Sequence, residues 1–353
     1  MATMREVAER AGVSAKTVSR VLRNDQYVSD NVRQRVNAAV EELQYVPNML
    51  AVSFRTGRDA AIGVAVPDIG DPFFARIVHA VEVEARRAQT AVIVTSLGYD
   101  PEHEQPAVEA LLKRQVLGLV FCPVSRDHSY LAPWLPRTPM VFVDRAPTKL
   151  TADSVIEDDF GGAHLATTHL VQHGHRRIAF VGDTNQAPTT MHRLQGYRQA
   201  LADAEIPFDE RLVYLGETDA DTIDHALIAF RGCPEPASAV FSSNARCTLA
   251  VYPGLQRLGG DGLALVSFGD FPMAASLDPS VTVIDQDPTA VGRFAAERLF
   301  ARMDSPGRRL RRRTVLPVSL IERESCAQPV GTSRSPSRHQ RTTRVAPRSR
   351  RPA

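Results

Sequence analysis

The sequence predicts an α/β protein in which an N-terminal helix-turn-helix headpiece precedes two doubly wound parallel sheets. Three observations carry this. Within 1–58, apolar residues recur at helical spacing in three short segments divided by turn signals. From Ala60 onward, short continuous apolar runs alternate with amphipathic helical stretches, the pattern of parallel strands covered on both faces. These βα units are too many for one comfortable sheet, whereas two lobes accommodate them. At 353 residues, 43% hydrophobic and 23% charged, the chain has the material for such cores.

The first helix opens on Thr3-Met4-Arg5-Glu6, a capping box, carries an apolar stripe of Val7, Ala8 and Ala11, and ends at Gly12. Ser14 caps a second helix over 15–22, whose Val18, Val21 and Leu22 share a face. Ser29 caps a third, with Val32, Val36, Ala39, Val40 and Leu43 at the 3.6-residue period. A Gly-containing turn between the first two is the geometry that lays the second helix in a DNA major groove. Ala15, Lys16, Ser19 and Arg20 are then the groove-facing side chains, and Lys16 and Arg20 can donate to guanine edges or phosphates. A structural three-helix module with solvated charges is the bland alternative for the same residues.

Beyond the headpiece, strands are expected over 61–66, 91–95, 118–121, 140–143, 177–181, 239–242, 264–268 and 281–284. A single last strand is expected over 315–321, behind the arginine-rich loop 308–313. Open α/β sheets bind ligands beyond the carboxyl ends of their strands. The residues at those ends are Asp71-Pro72-Phe73-Phe74, Asp144-Arg145, Asp158-Asp159, Gly182-Asp183, Asn244 and Gly269-Asp270. Phe73 and Phe74 are equally natural core residues.

Charge is distributed unevenly. The net formal charge is +2, yet 1–58 holds nine basic and six acidic side chains, and 331–353 holds seven arginines and no acid. Residues 59–330 are therefore acidic, at −8. A basic head on an acidic body suits a polyanion partner for the head alone. Residues 327–353, rich in Arg, Ser, Thr and Pro, read as a disordered basic tail. No run approaches the ~18 apolar residues of a membrane span, and MATMREVAER is no signal peptide, so a cytoplasmic protein without membrane partners is expected. Four scattered cysteines argue against disulfides or a zinc knuckle.

His164, His169, His173 and His175 fall within twelve residues, but only 169 and 173 have i, i+4 spacing, and helix-end roles account for them. No metal or cofactor is expected. Nucleophile-elbow, P-loop and dinucleotide motifs are absent from the sequence, so no catalytic residue is assigned and an enzyme is not expected.

The segments MREVAERAGVSAKTVSRVL and VSDNVRQRVNAAVEELQYVPN resemble the headpiece of the LacI/GalR family of bacterial transcription regulators. DPFFARIV, HLVQHGHRRIAFVG, RLQGYRQAL, ASAVFSSN and LDPSVTVIDQDP resemble, in order, that family's periplasmic-binding-protein-like effector domain. The resemblance implies a headpiece (1–46), a hinge helix (47–58), a two-lobed effector-binding and dimerisation domain (59–326) and the tail. It implies DNA contacts from Ser14, Ala15, Lys16, Thr17, Ser19, Arg20, Arg23, Tyr27, Asn48, Ala51, Phe54 and Arg55. Phe54 stands where the family carries a minor-groove leucine wedge, and Val52 replaces the family's arginine or glutamine. Arg23 replaces a frequent asparagine, which points to a phosphate contact.

On the same resemblance, Asp71, Phe73, Phe74, Arg145, Asp158, Arg193, Asn244 and Asp270 contact the effector. Two departures, Asn244-Ala245 for Asn-Asp and Gly269-Asp270 for paired aspartates, remove two hydroxyl acceptors. The implied function is a repressor that binds a pseudo-palindromic operator as a homodimer and responds to a small molecule, a sugar or related metabolite. A two-lobed solute receptor without regulatory role and an α/β enzyme are the competing readings.

Overall fold

The computed structural model describes residues 3–22, 25, 27–43, 61–184, 187–259, 263–305, 310–326 and the backbone of 342–344. It divides into two compact units, Met1–Ala60 and Ala61–Ala353. The hinge segment, with Asn48, Ala51, Phe54 and Arg55, lies outside the described residues, as does Arg23.

The first unit contains α1 (Met4–Ala11), α2 (Ala15–Leu22) and α3 (Asp30–Glu42). The capping box forms: the Glu6 N–H donates to Thr3 Oγ1 at 3.3 Å, and the Thr3 N–H donates to Glu6 Oε2 at 2.6 Å. Gly12 ends α1 at φ +63°, a left-handed conformation that glycine adopts without a Cβ penalty. Ser14 Oγ accepts from the Thr17 N–H at 3.1 Å, whereas Ser29 occupies the cap position of α3 without a side-chain cap bond. Val7, Val18 and Val36 meet in a fully buried centre. Val40 and Leu43 pack at its edge. Arg35 donates to the carbonyls of Ala11 and Gly12, satisfying acceptors orphaned at the end of α1.

In the second unit, the first lobe begins with β1 (Ile62–Val66), α4 (Pro72–Arg87), β2 (Val92–Ser96), α5 (Pro101–Leu112), β3 (Leu119–Phe121), β4 (Met140–Val143) and β5 (Asp153–Glu157). The chain then enters the second lobe: α6 (Asp159–Gln172), β6 (Ile178–Gly182), α7 (Pro188–Asp203), β7 (Val213–Leu215), α8 (Ala220–Arg231), β8 (Ala239–Ser242), α9 (Ala245–Arg257), β9 (Ala264–Phe268) and β10 (Thr282–Asp285). It returns for α10 (Pro288–Asp304) and β11 (Arg313–Leu316), and crosses once more to β12 (Ser319–Ile321) and β13 (Thr342–Arg344).

The first sheet runs β11-β5-β4-β3-β1-β2, all parallel. The second runs β13-β12-β10-β9-β8-β6-β7, with β12 antiparallel to β10 and β13 antiparallel to β12. Helices on both faces of each sheet bury the apolar strands, as the unbroken runs require. Two glycines set helix approach. A Cβ at Gly196 would stand 2.3 Å from the Phe160 carbonyl oxygen between α7 and α6, and one at Gly292 would stand 2.5 Å from the Ile77 carbonyl oxygen between α10 and α4.

Four features depart from expectation. The expected strand over 315–321 breaks at Pro317, which has no N–H for a ladder; β11 joins the first sheet and β12 the second. Strand β5 is fully buried despite Asp153, Ser154 and Glu157, because Arg302 donates to both Asp153 oxygens at 2.6 and 3.0 Å. The short edge strand β7 pairs with β6. The tail, read as disordered throughout, includes β13, where the backbone of Thr342–Arg344 pairs antiparallel with the edge of β12.

Candidate functional site

Helix α2 presents the residues expected to meet DNA. Ala15 and Lys16 are exposed, and Ser14 and Thr17 form the cap at its start, with their hydroxyls 2.9 Å apart. Arg20 Nε donates to Asp25 Oδ2 at 2.9 Å, which orients a side chain that stays 40% exposed. Asp25 also accepts from the Tyr27 N–H at 3.0 Å and leaves the Tyr27 ring in solvent. Ser19 corrects the groove-facing set. It is 7% exposed, because its position adjoins Val18 and precedes Leu22 by three, inside the arc of α2 that packs on the core.

The second site is a narrow cleft between the lobes of the larger unit. The ends of strands and the first turns of α4, α7 and α9 build its walls. Asp71 caps α4, its Oδ1 accepting from the Phe73 N–H at 2.9 Å, so the other carboxylate oxygen is left for the cleft. Burial raises the Asp71 pKa. Phe73 is half-buried on the wall and meets Phe74 edge-on at 5.1 Å, whereas Phe74 is 5% exposed and chiefly core. Asn244 caps α9, its Oδ1 accepting from the Cys247 N–H at 2.8 Å, which turns its amide nitrogen to other uses. Asp158 corrects the expected effector set: it caps α6 through the Gly161 N–H at 2.9 Å and is not among the cleft-lining residues.

Every arginine of the cleft is matched with an acid. Arg145 Nε lies 3.2 Å from Asp144 in an ion pair but makes no hydrogen bond among the described residues, and its Nη1 donates to the Pro123 carbonyl at 2.8 Å. Arg193, 4% exposed, donates from Nε to Asp159 at 2.7 Å and from Nη1 to the Ser243 carbonyl at 2.7 Å, while its guanidinium carbon sits 3.8 Å from the centre of the Phe268 ring. Burial pushes Asp159 up to about 6 in spite of this partner. Asp270 accepts a bidentate pair from Arg323 at 3.0 and 2.7 Å, which follows from its place beside β10 and the residues after β12.

Three residues were not legible as a group. Arg246, in the first turn of α9, donates to Asp183 at 2.6 Å and lies 4.1 Å over the ring of Tyr99 from the opposite lobe. This cation–π contact spans the cleft. Burial opposes the charge of Asp183, yet Arg246 and Thr190 outweigh it and hold its pKa low. The Tyr99 hydroxyl is pushed up to about 12 by burial and stays protonated. At the floor, Gln286 Nε2 donates to Glu157 Oε1 at 3.4 Å, tying together two of the chain's lobe-to-lobe crossings. Glu157 is held well above the usual carboxyl range by burial, then by Asp144 and Asp159. The available signals were position alone: Tyr99 follows a strand, and Arg246 follows the Ala245 that departs from the family pattern.

The profile of the bacterial regulatory proteins of the lacI family matches residues 3–48, and that of a periplasmic binding protein-like domain matches residues 167–326. The ribose operon repressor of Haemophilus influenzae is 30% identical over 329 residues, covering 92% of this chain and 98% of the relative. The transcriptional regulator GalR of Escherichia coli is 31% identical over 334 residues, covering 93% and 97%. Among solved structures, the lac repressor dimer bound to operator and the anti-inducer ONPF superposes with a TM-score of 0.81 at 26% identity, covering 92% of this chain and 99% of that one. Among the described residues, no helix is long and apolar enough to cross a membrane.

Proposed function

This chain belongs to the LacI family of bacterial regulatory proteins, and from that premise we propose a cytoplasmic homodimeric repressor that reads a pseudo-palindromic operator and responds to a small hydroxylated metabolite. Its relatives are named for regulation over nearly their whole length, which favours this reading over a free-standing receptor or an enzyme. In a dimer, two copies of α2 would enter successive major grooves, with Lys16 and Arg20 as the cationic readers. The segment 47–58 would act as the hinge, with Phe54 as its wedge.

One observation carries the choice of ligand class: each of the lining arginines, Arg145, Arg193 and Arg246, has an acidic neighbour. An anionic ligand would meet guanidiniums whose charge Asp144, Asp159 and Asp183 already compensate. The free oxygen of Asp71, the amide nitrogen of Asn244 and the Tyr99 hydroxyl instead offer acceptor and donor positions to a neutral polyol. Coupling between cleft and DNA is necessarily reciprocal, so operator DNA alters effector affinity by the factor by which effector alters operator affinity.

Genomic fragments selected by the full-length protein should share a pseudo-palindrome. Lys16→Ala should weaken binding to it by about 1–3 kcal/mol if the ammonium reads a base. In a thermal-shift screen, neutral pentoses, hexoses and nucleosides should stabilise the protein where their phosphates do not. Stabilisation by the phosphates alone would reverse the ligand assignment, and absence of any preferred sequence would remove the operator reading.

A further inference from the structure

The feature that neither the headpiece nor the cleft absorbs lies toward the end of α6, about 20 Å along the helix from its Asp158 cap, at ~1.5 Å per residue. His169 and His173 stand one turn apart on one face, with ring centroids 4.3 Å apart. Glu322, just past β12, brings Oε1 to 3.6 Å from His173 Nε2. A ring nitrogen of each histidine and a carboxylate oxygen of Glu322 all lie within 4.8 Å of one another.

Two further observations point to an occupant. His169 is 5% exposed, and its Nε2 has no hydrogen-bond partner among the described residues. A buried ring nitrogen is costly to leave unpaired. His173 Nδ1 faces the His169 carbonyl at 2.9 Å, so it carries the proton and leaves Nε2 with its lone pair toward Glu322. This backbone bond on the non-ligating nitrogen is the arrangement that orients metal-binding histidines.

We infer that His169, His173 and Glu322 form a binding site for a divalent transition metal of the zinc, nickel or cobalt class. Two imidazoles and a carboxylate are the ligand types these ions take, and three protein ligands leave a position for water. Metal–ligand bonds of ~2.0–2.2 Å require donor atoms closer together than the widest spacing in the cluster. His173 and Glu322, both partly exposed, have the freedom to close it. Occupied, the site would cross-link α6 to the residues that follow β12, two parts of the second lobe far apart in sequence.

The test uses full-length protein freed of metal by chelation and titrated with Zn²⁺ and with Co²⁺ as a spectroscopic probe. One equivalent per chain should bind, raise the melting temperature, and with Co²⁺ give visible ligand-field bands. His173→Ala and Glu322→Gln, at partly exposed positions, should each weaken binding at least tenfold, while His164→Ala on the same helix should leave it unchanged. Absence of stoichiometric binding would overturn the site and leave a water as the partner of His169. Equal affinity in parent and His173→Ala would overturn it too, by placing the ion elsewhere.

Discussion

Arg193→Met keeps the aliphatic stem and removes the guanidinium, and the structure fixes what that should cost. The substitution abolishes two contacts to Asp159 Oδ1 at 2.7 Å, the bond to the Ser243 carbonyl and the stacking on Phe268. Asp159, 6% exposed, is left as an uncompensated buried carboxylate. Breaking one side of such a pair costs about 3–5 kcal/mol. The loss should depend on pH with a definite sign. Burial already raises Asp159 to about 6, and without Arg193 its pKa rises further, so the carboxyl escapes the penalty by protonating in acid. Urea unfolding of the parent, Arg193→Met, Asp159→Asn and the double variant at pH 5 and pH 8 measures this. The single arginine variant should lose most at pH 8, and the double variant should lose less than the sum of the two singles. A loss below ~1 kcal/mol at pH 8, with additive singles, would refute the pairing and return Arg193 to the role of free ligand contact.

Gly196→Ala should destabilise the second lobe by about 1–3 kcal/mol, because its new Cβ would fall 2.3 Å from the Phe160 carbonyl oxygen, and a denaturation midpoint shift checks it. Glu157→Gln should stabilise the protein at pH 8 but not at pH 4. The folded state holds the Glu157 proton more tightly than the unfolded chain does, so parent stability falls as pH rises above the ordinary carboxyl range. Thermal melts of both proteins across pH should converge in acid.

How far the sequence carries depends on whether a residue's burial is decided locally. Strands β1, β4, β8 and β9 are visible because their apolar runs are buried on both faces by whatever helix comes next. Strand β5 is not, because Asp153 becomes a strand residue only when Arg302, from a helix well over a hundred residues later, neutralises it. Ser19 misleads for the complementary reason: a small hydroxyl tolerates the buried arc of α2, so polarity did not report position. The capping box at Thr3 and the turn at Gly12 depend on four neighbouring residues and are legible in full. In the cleft, strand-end logic finds Asp71, Arg145, Asn244 and Asp270. The partners that decide their chemistry, Arg323 on Asp270 and Tyr99 over Arg246, come from sequence-distant loops.

The break at Pro317 has a consequence for how the molecule is made. Strand β5 stays at the border of its sheet until β11, residues 313–316, arrives beside it. A ribosome has therefore translated almost all of the effector unit before the earlier lobe can close, and its nascent sheet waits with an open, bonding-competent margin. No excision at one point of the gene yields either half whole. The two lobes are inherited, synthesised and lost together, and any engineered exchange of one sensory half must move two pieces of chain, not one.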